Sequence, residues 1–473
     1  MTVETERELE IKLSVPDGFA PPHLVDVPGV ESVAVRSLRL RATYWDTADH
    51  RLAQAGMTLR HRTGEGRPRW TLKTASTSDV TLAREEISVA AAGTKVPPEL
   101  VDLLTARLRG GELASRAQVR TLRTTTLLFD ADSEEAAEVV DDVVTVLRDG
   151  VEVDGWHELE VEQRSPKVFR RVVAALRKAG AGETDQTPKG IRALGDLGRS
   201  DLPEAPPLQT AGDLVRSSLA LGLRDIVARD LEVRRDLPDS VHQLRVSCRR
   251  LRSDLRTFAS LVDDPRARTL RDELAWLADS LGAARDLEVL RERLHLRAHE
   301  GDRLDVRPVD ALLASQQHQA EAHALAALRS QRYLSLLVLL HATAQGPVLA
   351  DGAAGRARDV LPDLVARAHR RVDKALGALH PDSPDGDWHE VRIKAKRARY
   401  AAEAAAPVIG RTAKRAKQLQ TLLGEHQDAA IAAERLLALA EAEPSVAVLC
   451  ARLAERERIA AAAIRAALSA AAH

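Results

Sequence analysis

Glu8-Leu9-Glu10-Ile11-Lys12-Leu13 alternates strictly between charged and apolar residues. Side chains on a strand point to opposite faces with period two. The stretch therefore reads as a strand with Glu8, Glu10 and Lys12 on one face and Leu9, Ile11 and Leu13 on the other. Successive charges on that face stand about 7 Å apart, from the rise per residue. Taken alone, the pattern fits a solvated charged face above an apolar one. Its meaning depends on whether other strands repeat it.

They do. Arg39 and Arg41 share a face, as do Arg60 and Arg62, Thr71 and Lys73, and Arg84 and Glu86. A later strand carries Glu158, Glu160 and Glu162 with apolar residues between. Asp141-Asp142 opens a further strand. Arg120 and Arg123 are oddly spaced, so they need a bulge or lie on opposite faces. The first and last strands hold most of the acids, and the middle strands hold the bases. Like charges side by side are destabilising unless a counterion lies between them. Clustered carboxylates suit hard cations such as Mg²⁺ or Mn²⁺. Clustered Arg and Lys suit a phosphate chain. Together they describe a cavity for a metal–polyphosphate complex. His61 and His157 alternate with the charged positions and are expected to point outward.

The chain has 473 residues, too many for a single core. Residues 1–198 read as strands separated by turn-formers, with helices at Pro97–Arg109 and Pro166–Lys178, so a barrel or a strongly curled sheet is expected. Residues 199–209 form a Pro-rich linker, and 210–473 read as helices broken at Pro238, Pro265, Pro308, Gly346-Pro347, Pro381–Gly386, Pro407 and Pro444. Net charge is −1, which gives no global field for nucleic acid or membrane, and aromatics are only 3%, which argues against base-stacking recognition. Cys248 and Cys450 make no disulfide framework. No apolar run reaches the roughly 20 residues of a membrane span. A soluble, cytoplasmic protein is expected.

The ordered set Glu8-x-Glu10-x-Lys12, Tyr44-Trp45-Asp46-Thr47, Leu59-Arg60-x-Arg62, Thr71-Leu72-Lys73, Arg84-x-Glu86, Glu158-x-Glu160-x-Glu162 and Lys189-Gly-Ile-Arg192-Ala193-Leu194 resembles the CYTH family, the triphosphate tunnel metalloenzymes. The resemblance implies an eight-stranded antiparallel barrel with a hydrophilic tunnel and divalent-metal-dependent chemistry on triphosphates. It implies Glu8 and Glu10 as metal ligands faced by Glu158 and Glu160, with Asp142 and Glu162 as further candidates. It gives Lys12, Arg39, Arg41, Arg60, Arg62, Lys73, Arg84, Arg120, Arg123 and Lys189 the phosphate oxygens. Glu8, Glu10, Lys12, Glu158 and Glu160 would carry catalysis. Pro188 stands where the family more often has Ser before the Lys.

In the helical half, His242, Arg245, Arg249, Arg252 and Arg256 are spaced 3, 4, 3, 4, which is one stripe on a helix. His389, Arg392, Lys396 and Arg399 repeat it, with Glu403 in place of the last Arg. Leu281-Gly282 and Leu423-Gly424, each followed by an Asp four residues on from Gly, form a second repeated pair. Asp286 and Asp428 could orient the stripe arginines or simply mark helix ends. Few acids lie at i±4 of the stripe, so it reads as an anion-binding surface. These blocks resemble the CHAD family, whose basic helical surfaces are linked to polyphosphate; Lys414, Arg415 and Lys417 would extend the surface. The expected fold is an α+β multidomain chain, a β-barrel followed by a duplicated all-α bundle (about 210–345 and 355–473). The expected function is hydrolysis of inorganic triphosphate joined to polyphosphate binding. Two alternatives stay open: a non-catalytic polyphosphate-granule protein, or action on thiamine triphosphate or ATP.

Overall fold

The computed structural model describes residues 10–16, 18–74, 85–91, 93–184, 187–300, 303–380, 382–410 and 414–472. They form two compact units, 1–201 and 202–473. The first is built on one antiparallel sheet: β1 Glu10–Ser14, β2 Ser32–Asp46, β3 Thr58–Thr63, β4 Arg69–Thr74, β5 Glu85–Ala90, β6 Ala114–Phe129, β7 Glu135–Arg148, β8 Val151–Gln163 and β9 Gly182–Glu183. Their order is β5-β4-β3-β2-β6-β7-β8-β1-β9. The sheet thus has nine strands where eight were expected, the ninth being only two residues long. Among the described residues no ladder joins β5 to β1 or β9. Irregularities at Tyr44/Trp45, Leu128/Phe129 and Val146/Leu147 interrupt the long ladders, and such bulges increase local twist.

Alternation gives the sheet one apolar and one charged face. On the apolar face Leu13, Leu159, Val161, Val139 and Leu128 pack with Val168, Val172 and Leu176 of helix α3. Each fully buried Val or Leu of this kind contributes roughly 1.5–3 kcal/mol. Leu59, Trp70, Leu72 and Ile87, laterally matched on β3, β4 and β5, are also buried. The helices of this unit are α1 Pro98–Leu103, α2 Thr105–Leu108, α3 Pro166–Lys178 and α4 Lys189–Leu194. The expected single helix at 97–109 is therefore split, because Leu104 leaves helical geometry at φ −95°, ψ 2°. α3 has the expected bounds. β2 begins at Ser32, and its first six residues are exposed, Val33 and Val35 among them.

The second unit is helical: α5 Ala211–Arg234, α6 Ser240–Thr257, α7 Arg266–Ser280, α8 Gly282–Ala298, α9 Arg307–Leu328, α10 Gln331–Gln345, α11 Ala357–Leu376, α12 Asp385–Ile409, α13 Lys414–Ala442 and α14 Ala447–Ala472. α5 opens with a capping box between Thr210 and Asp213. Pro308 sits in the first turn of α9, but Pro407 lies inside α12. Only the last turn is left after Pro407, so the missing N–H costs one bond near an end that frays anyway. Leu281-Gly282 marks the α7–α8 junction, whereas Leu423-Gly424 runs through the middle of α13. No helix among the described residues is long and apolar enough to cross a membrane.

One core group of this unit is ionisable. Asp254 on α6 is buried, and burial pushes its carboxyl up to about 7 against the opposing pull of Arg250 and a hydrogen bond from Ser218. The unfolded carboxyl ionises near 3.8, so stability falls as pH rises between these two values. Asp254→Asn should raise stability at pH 8 by up to roughly 4 kcal/mol, from about three units at about 1.4 kcal/mol each. It should change little below pH 4. Urea unfolding at both pH values measures the difference.

Candidate active site and anion surface

The register of the ladders decides which side chains share the charged face. Lys12 lies opposite Glu160, and Glu160 lies opposite Val140. Asp142 is flanked by Glu158 on one side and Arg123 on the other. Arg62 pairs with Ala42 and Arg60 with Tyr44; Thr58 pairs with Lys73, and Lys73 with Glu86. One face therefore carries Lys12, Arg60, Arg62, Lys73, Glu86, Arg123, Asp142, Glu158 and Glu160. Lys189 joins them from the first turn of α4.

The centre of this face is a connected ionic cluster. Arg123 donates to Asp142 with two nitrogens, Nε at 2.9 Å and Nη2 at 2.7 Å. Lys12 lies 2.8 Å from Glu160. Lys189 bonds Asp142 and lies 3.0 Å from Glu158 and 3.3 Å from Glu160. Asp142 is completely buried. Burial alone would raise the Glu160 carboxyl, but Lys189, Lys12 and Arg123 outweigh it and hold the carboxyl well below the usual range. Burial likewise works against the Lys189 ammonium, and Glu160, Asp142 and Glu158 hold its proton on. Toward β5 the balance turns positive. Lys73 bonds Glu86, and Arg62 bonds Glu65 at 3.0 Å. Arg60 Nε is buried without an acceptor. Burial and the neighbouring Arg60 and Arg123 press the Arg62 guanidinium downward.

α4 closes one end of the face. Its Ala193 and Leu194 pack with Tyr44, Ala117, Val119, Val144 and Val146. Gly190 is required there, because a Cβ would stand 2.3 Å from Tyr44 Cε1. That close approach is what lets Lys189 reach the carboxylates. Trp156 donates from Nε1 to Glu158 at 2.6 Å and is covered by the Arg192 guanidinium 4.1 Å from its ring.

In the helical unit α6 and α12 pack against each other. Arg245 donates to Asp286 at 2.9 Å, and Arg392 to Asp428 at 3.4 Å. Each stripe thus has one arginine anchored by the Asp of its repeated Leu-Gly block. The two acids meet at a cavity of about 40 Å³ between α8 and α13. The next cations are not neutralised. Arg249 and Lys396 form no ion pair among the described residues, and Nε of Arg245, Arg249 and Arg392 is buried without an acceptor. Burial lowers the Arg249 guanidinium, with Arg245, Arg392 and Arg252 adding to the effect. Arg397, which faces Arg252, Arg256 and Arg371, is lowered for the same reasons.

Comparison with known proteins gives the family. Residues 6–191 match the CYTH domain family and residues 217–437 the CHAD domain family. The Uncharacterized protein Rv2226 of Mycobacterium tuberculosis is 33% identical over 476 residues, spanning 92% of this chain and 90% of its own. The chain belongs to the CYTH–CHAD family. Among solved structures, PptA from Streptomyces chartreusis is 27% identical with a TM-score of 0.47, covering 56% of this chain and 99% of its own. The CHAD domain from the plant Ricinus communis is 27% identical with a TM-score of 0.46, covering 56% and 94%. CYTH is a tunnel fold, and its members are divalent-metal-dependent triphosphatases and cyclases.

Several expected site residues of the CYTH unit come together and others do not. Lys12, Arg60, Arg62, Lys73, Arg123, Asp142, Glu158, Glu160 and Lys189 share the charged face. Arg39, Arg41 and Arg120 do not: Arg39 pairs with Leu122 and Arg41 with Arg120, on the opposite face, and all three are exposed. The odd Arg120–Arg123 spacing is met by opposite faces, since no bulge falls between them. His61 and His157 point to that opposite face; His61 lies 4.9 Å from the Trp70 ring, and His157 Nε2 is 2.6 Å from Asp141. The expected facing of Glu158 and Glu160 with Glu8 and Glu10 is shifted. Glu10 lies opposite Glu162, and Glu158 opposite Ser14. Glu8 and Arg84 lie outside the described residues, and of Glu10 only the backbone is described. Asp142, expected as a further metal ligand, pairs with Arg123 and Lys189.

In the CHAD unit, Arg399 is held by Glu403 at 2.6 Å and by Gln420 at 2.9 Å, so it is not a free stripe cation. His389 hydrogen-bonds Gln427 through Nδ1 at 2.7 Å, while His242 Nδ1 is buried without a partner. Lys417 is exposed, and the side chains of Lys414 and Arg415 fall outside the described set. The sequence reading missed Glu86 as a site residue, although Arg84-x-Glu86 was in view. It also missed Arg397 and Arg371, which stand off the 3,4 spacing.

Proposed function

We propose that the CYTH unit hydrolyses the terminal phosphoanhydride of inorganic triphosphate and that the CHAD unit binds polyphosphate. The observation that carries the first half is the segregation of charge on one face. Carboxylates on β7 and β8 lie beside cations on β1, β3, β4, β6 and α4. A surface built only to capture anions has no use for buried carboxylates.

The donor set fits a divalent cation in its chemistry. Glu160 and Glu162 lie diagonal and opposite to Glu10 across the β1–β8 ladder, within reach of long side chains. These hard oxygen donors, with Glu8 two residues before Glu10 in the sequence, would hold Mg²⁺ or Mn²⁺. Among the described residues alone no three are gathered as a metal cluster. The cation, when bound, supplies neutralising charge and a water of lowered pKa. Arg60, Arg62, Lys73 and Arg123 hold phosphate oxygens and stabilise charge on the transferred phosphoryl. Lys12 and Lys189 contact the phosphate beside the carboxylates, Glu86 holds Lys73 in place, and Asp142 positions Arg123 and Lys189. α4 keeps water from one end.

The aromatics favour an inorganic substrate over a nucleotide. Tyr44 is buried with Gly190 against its ring, and the Arg192 guanidinium occupies one face of Trp156. Purified full-length protein with Mg²⁺ or Mn²⁺ should release phosphate from tripolyphosphate faster than from ATP, thiamine triphosphate or long polyphosphate. Binding without release from any of them would make the chain a polyphosphate-binding protein.

A further inference from the structure

The CHAD stripe contains one cation unlike the others. Lys396 sits on α12 among arginines and is half-buried. From α6 it faces Arg245 and Arg249, and from its own helix Arg392. α13 contributes Asp428, whose carboxylate already accepts from Arg392. α8 contributes Asp286, which accepts from Arg245. Tyr400 acts on Arg249 and Arg392, and α11 brings Arg371 to Arg397, beside Arg252 and Arg256. The local sum is therefore strongly positive, and Lys396 forms no ion pair among the described residues. Arginines keep their protons in any such setting, but a lysine does not.

We propose that Lys396 is the proton-accepting member of this anion site, so that polyphosphate binds together with one proton taken up from solvent. The inference rests on the polyphosphate reading of the CHAD unit. Burial and the surrounding Arg392, Arg249 and Arg245 bring the Lys396 ammonium down to about 7, with Asp428 opposing. A polyanion laid across Arg245, Arg249 and Arg392 reverses the field at Lys396 and restores its proton. The buried Nε groups of Arg245, Arg249 and Arg392 have no acceptor among the described residues and are donors that an anion would engage. Above pH 7 the free site has lost the Lys396 proton and the bound site has it, so binding must draw a proton in. Below pH 7 the free site already carries it, and the dependence flattens.

The test is titration calorimetry of the full chain with long-chain polyphosphate at pH 6, 7, 8 and 9, each in two buffers of different ionisation enthalpy. Affinity should fall by up to about tenfold per pH unit above pH 7, with uptake of close to one proton at pH 8. Lys396→Arg should bind as tightly as wild type at pH 6 and lose most of that slope. Lys396→Gln should bind weakly and with little slope at every pH. Titration of the phosphate ends persists in both variants, so the difference from wild type isolates Lys396. A wild-type affinity that does not change from pH 7 to 9, or a Lys396→Arg protein with the full wild-type slope, overturns the proposal. Absence of binding at pH 6 would instead overturn the polyphosphate reading on which it rests.

Discussion

Lys189→Ala is expected to abolish triphosphate turnover and to destabilise the CYTH unit by about 3–5 kcal/mol. The magnitude is that of removing one partner from a buried ion cluster. Lys189 is shared by Asp142, Glu158 and Glu160. Its loss leaves Asp142 with Arg123 alone and leaves Glu158 with no cation described at ion-pair distance. Activity should fall at least about 100-fold, the scale for removing one fixed charge that acts on developing negative charge. The pH dependence gives a second reading. In wild type Glu160 is held below its ordinary value of 4.5. The stability it contributes is therefore full above that value and is lost as pH falls toward its folded value. Without Lys189 the depression shrinks, so the variant should lose less stability on acidification than wild type. Phosphate release and thermal melts at pH 4, 5.5 and 7.5 measure both effects. Retained activity in a folded Lys189→Ala protein would remove Lys189 from the substrate site.

Arg249→Ala should weaken polyphosphate binding by roughly 10–150-fold while leaving the CHAD unit at least as stable as before. The affinity range corresponds to about 1.5–3 kcal/mol for a hydrogen bond to a charged group. Stability is preserved because Arg249 has no acid partner among the described residues and is repelled by Arg245, Arg392 and Arg252. Arg293, by contrast, is a structural arginine: it is buried and bonds Glu457 and Glu425. Arg293→Ala should lower the melting temperature, and any change in polyphosphate affinity should follow the unfolding rather than precede it. Salt should weaken wild-type binding more steeply than Arg249→Ala binding, because the variant has one charge fewer to screen. Equal loss of stability in both variants would mean that the stripe is a packing feature.

Much of the CYTH sheet was legible because its signal is local. Strict alternation in Glu158–Gln163 and in Glu10–Leu13 forces two faces whatever the surroundings. The same rule placed His61 and His157 on the apolar side. It could not say which face of β2 joins the charged side. Arg39 and Arg41 alternate with Leu38, Leu40 and Ala42, and either set could face the site. The Arg62–Ala42 and Arg123–Leu38 pairings settle it, and a ladder register is set by contacts between distant segments.

In the helical half, the 3,4 spacing from His242 to Arg256 made a stripe certain, since helix geometry alone requires it. The sequence also showed two copies. It could not distinguish an orienting role for Asp286 and Asp428 from a helix end. The pairing of Arg245 with Asp286 across 41 residues needs α6 and α8 side by side.

The opening strand shows where the division falls. Sequence alone determined that Glu10 and Lys12 share a face with apolar residues behind them, because period two follows from backbone geometry. It also determined the two-domain order, because strand and helix periods change at the Pro-rich stretch. Tertiary structure alone decided the partners: Glu162 opposite Glu10, Glu160 opposite Lys12, and Lys189 brought in by a helix that fits only because residue 190 has no side chain. Charge partners are chosen by distance in space, and 150 residues of intervening chain carry no record of that distance.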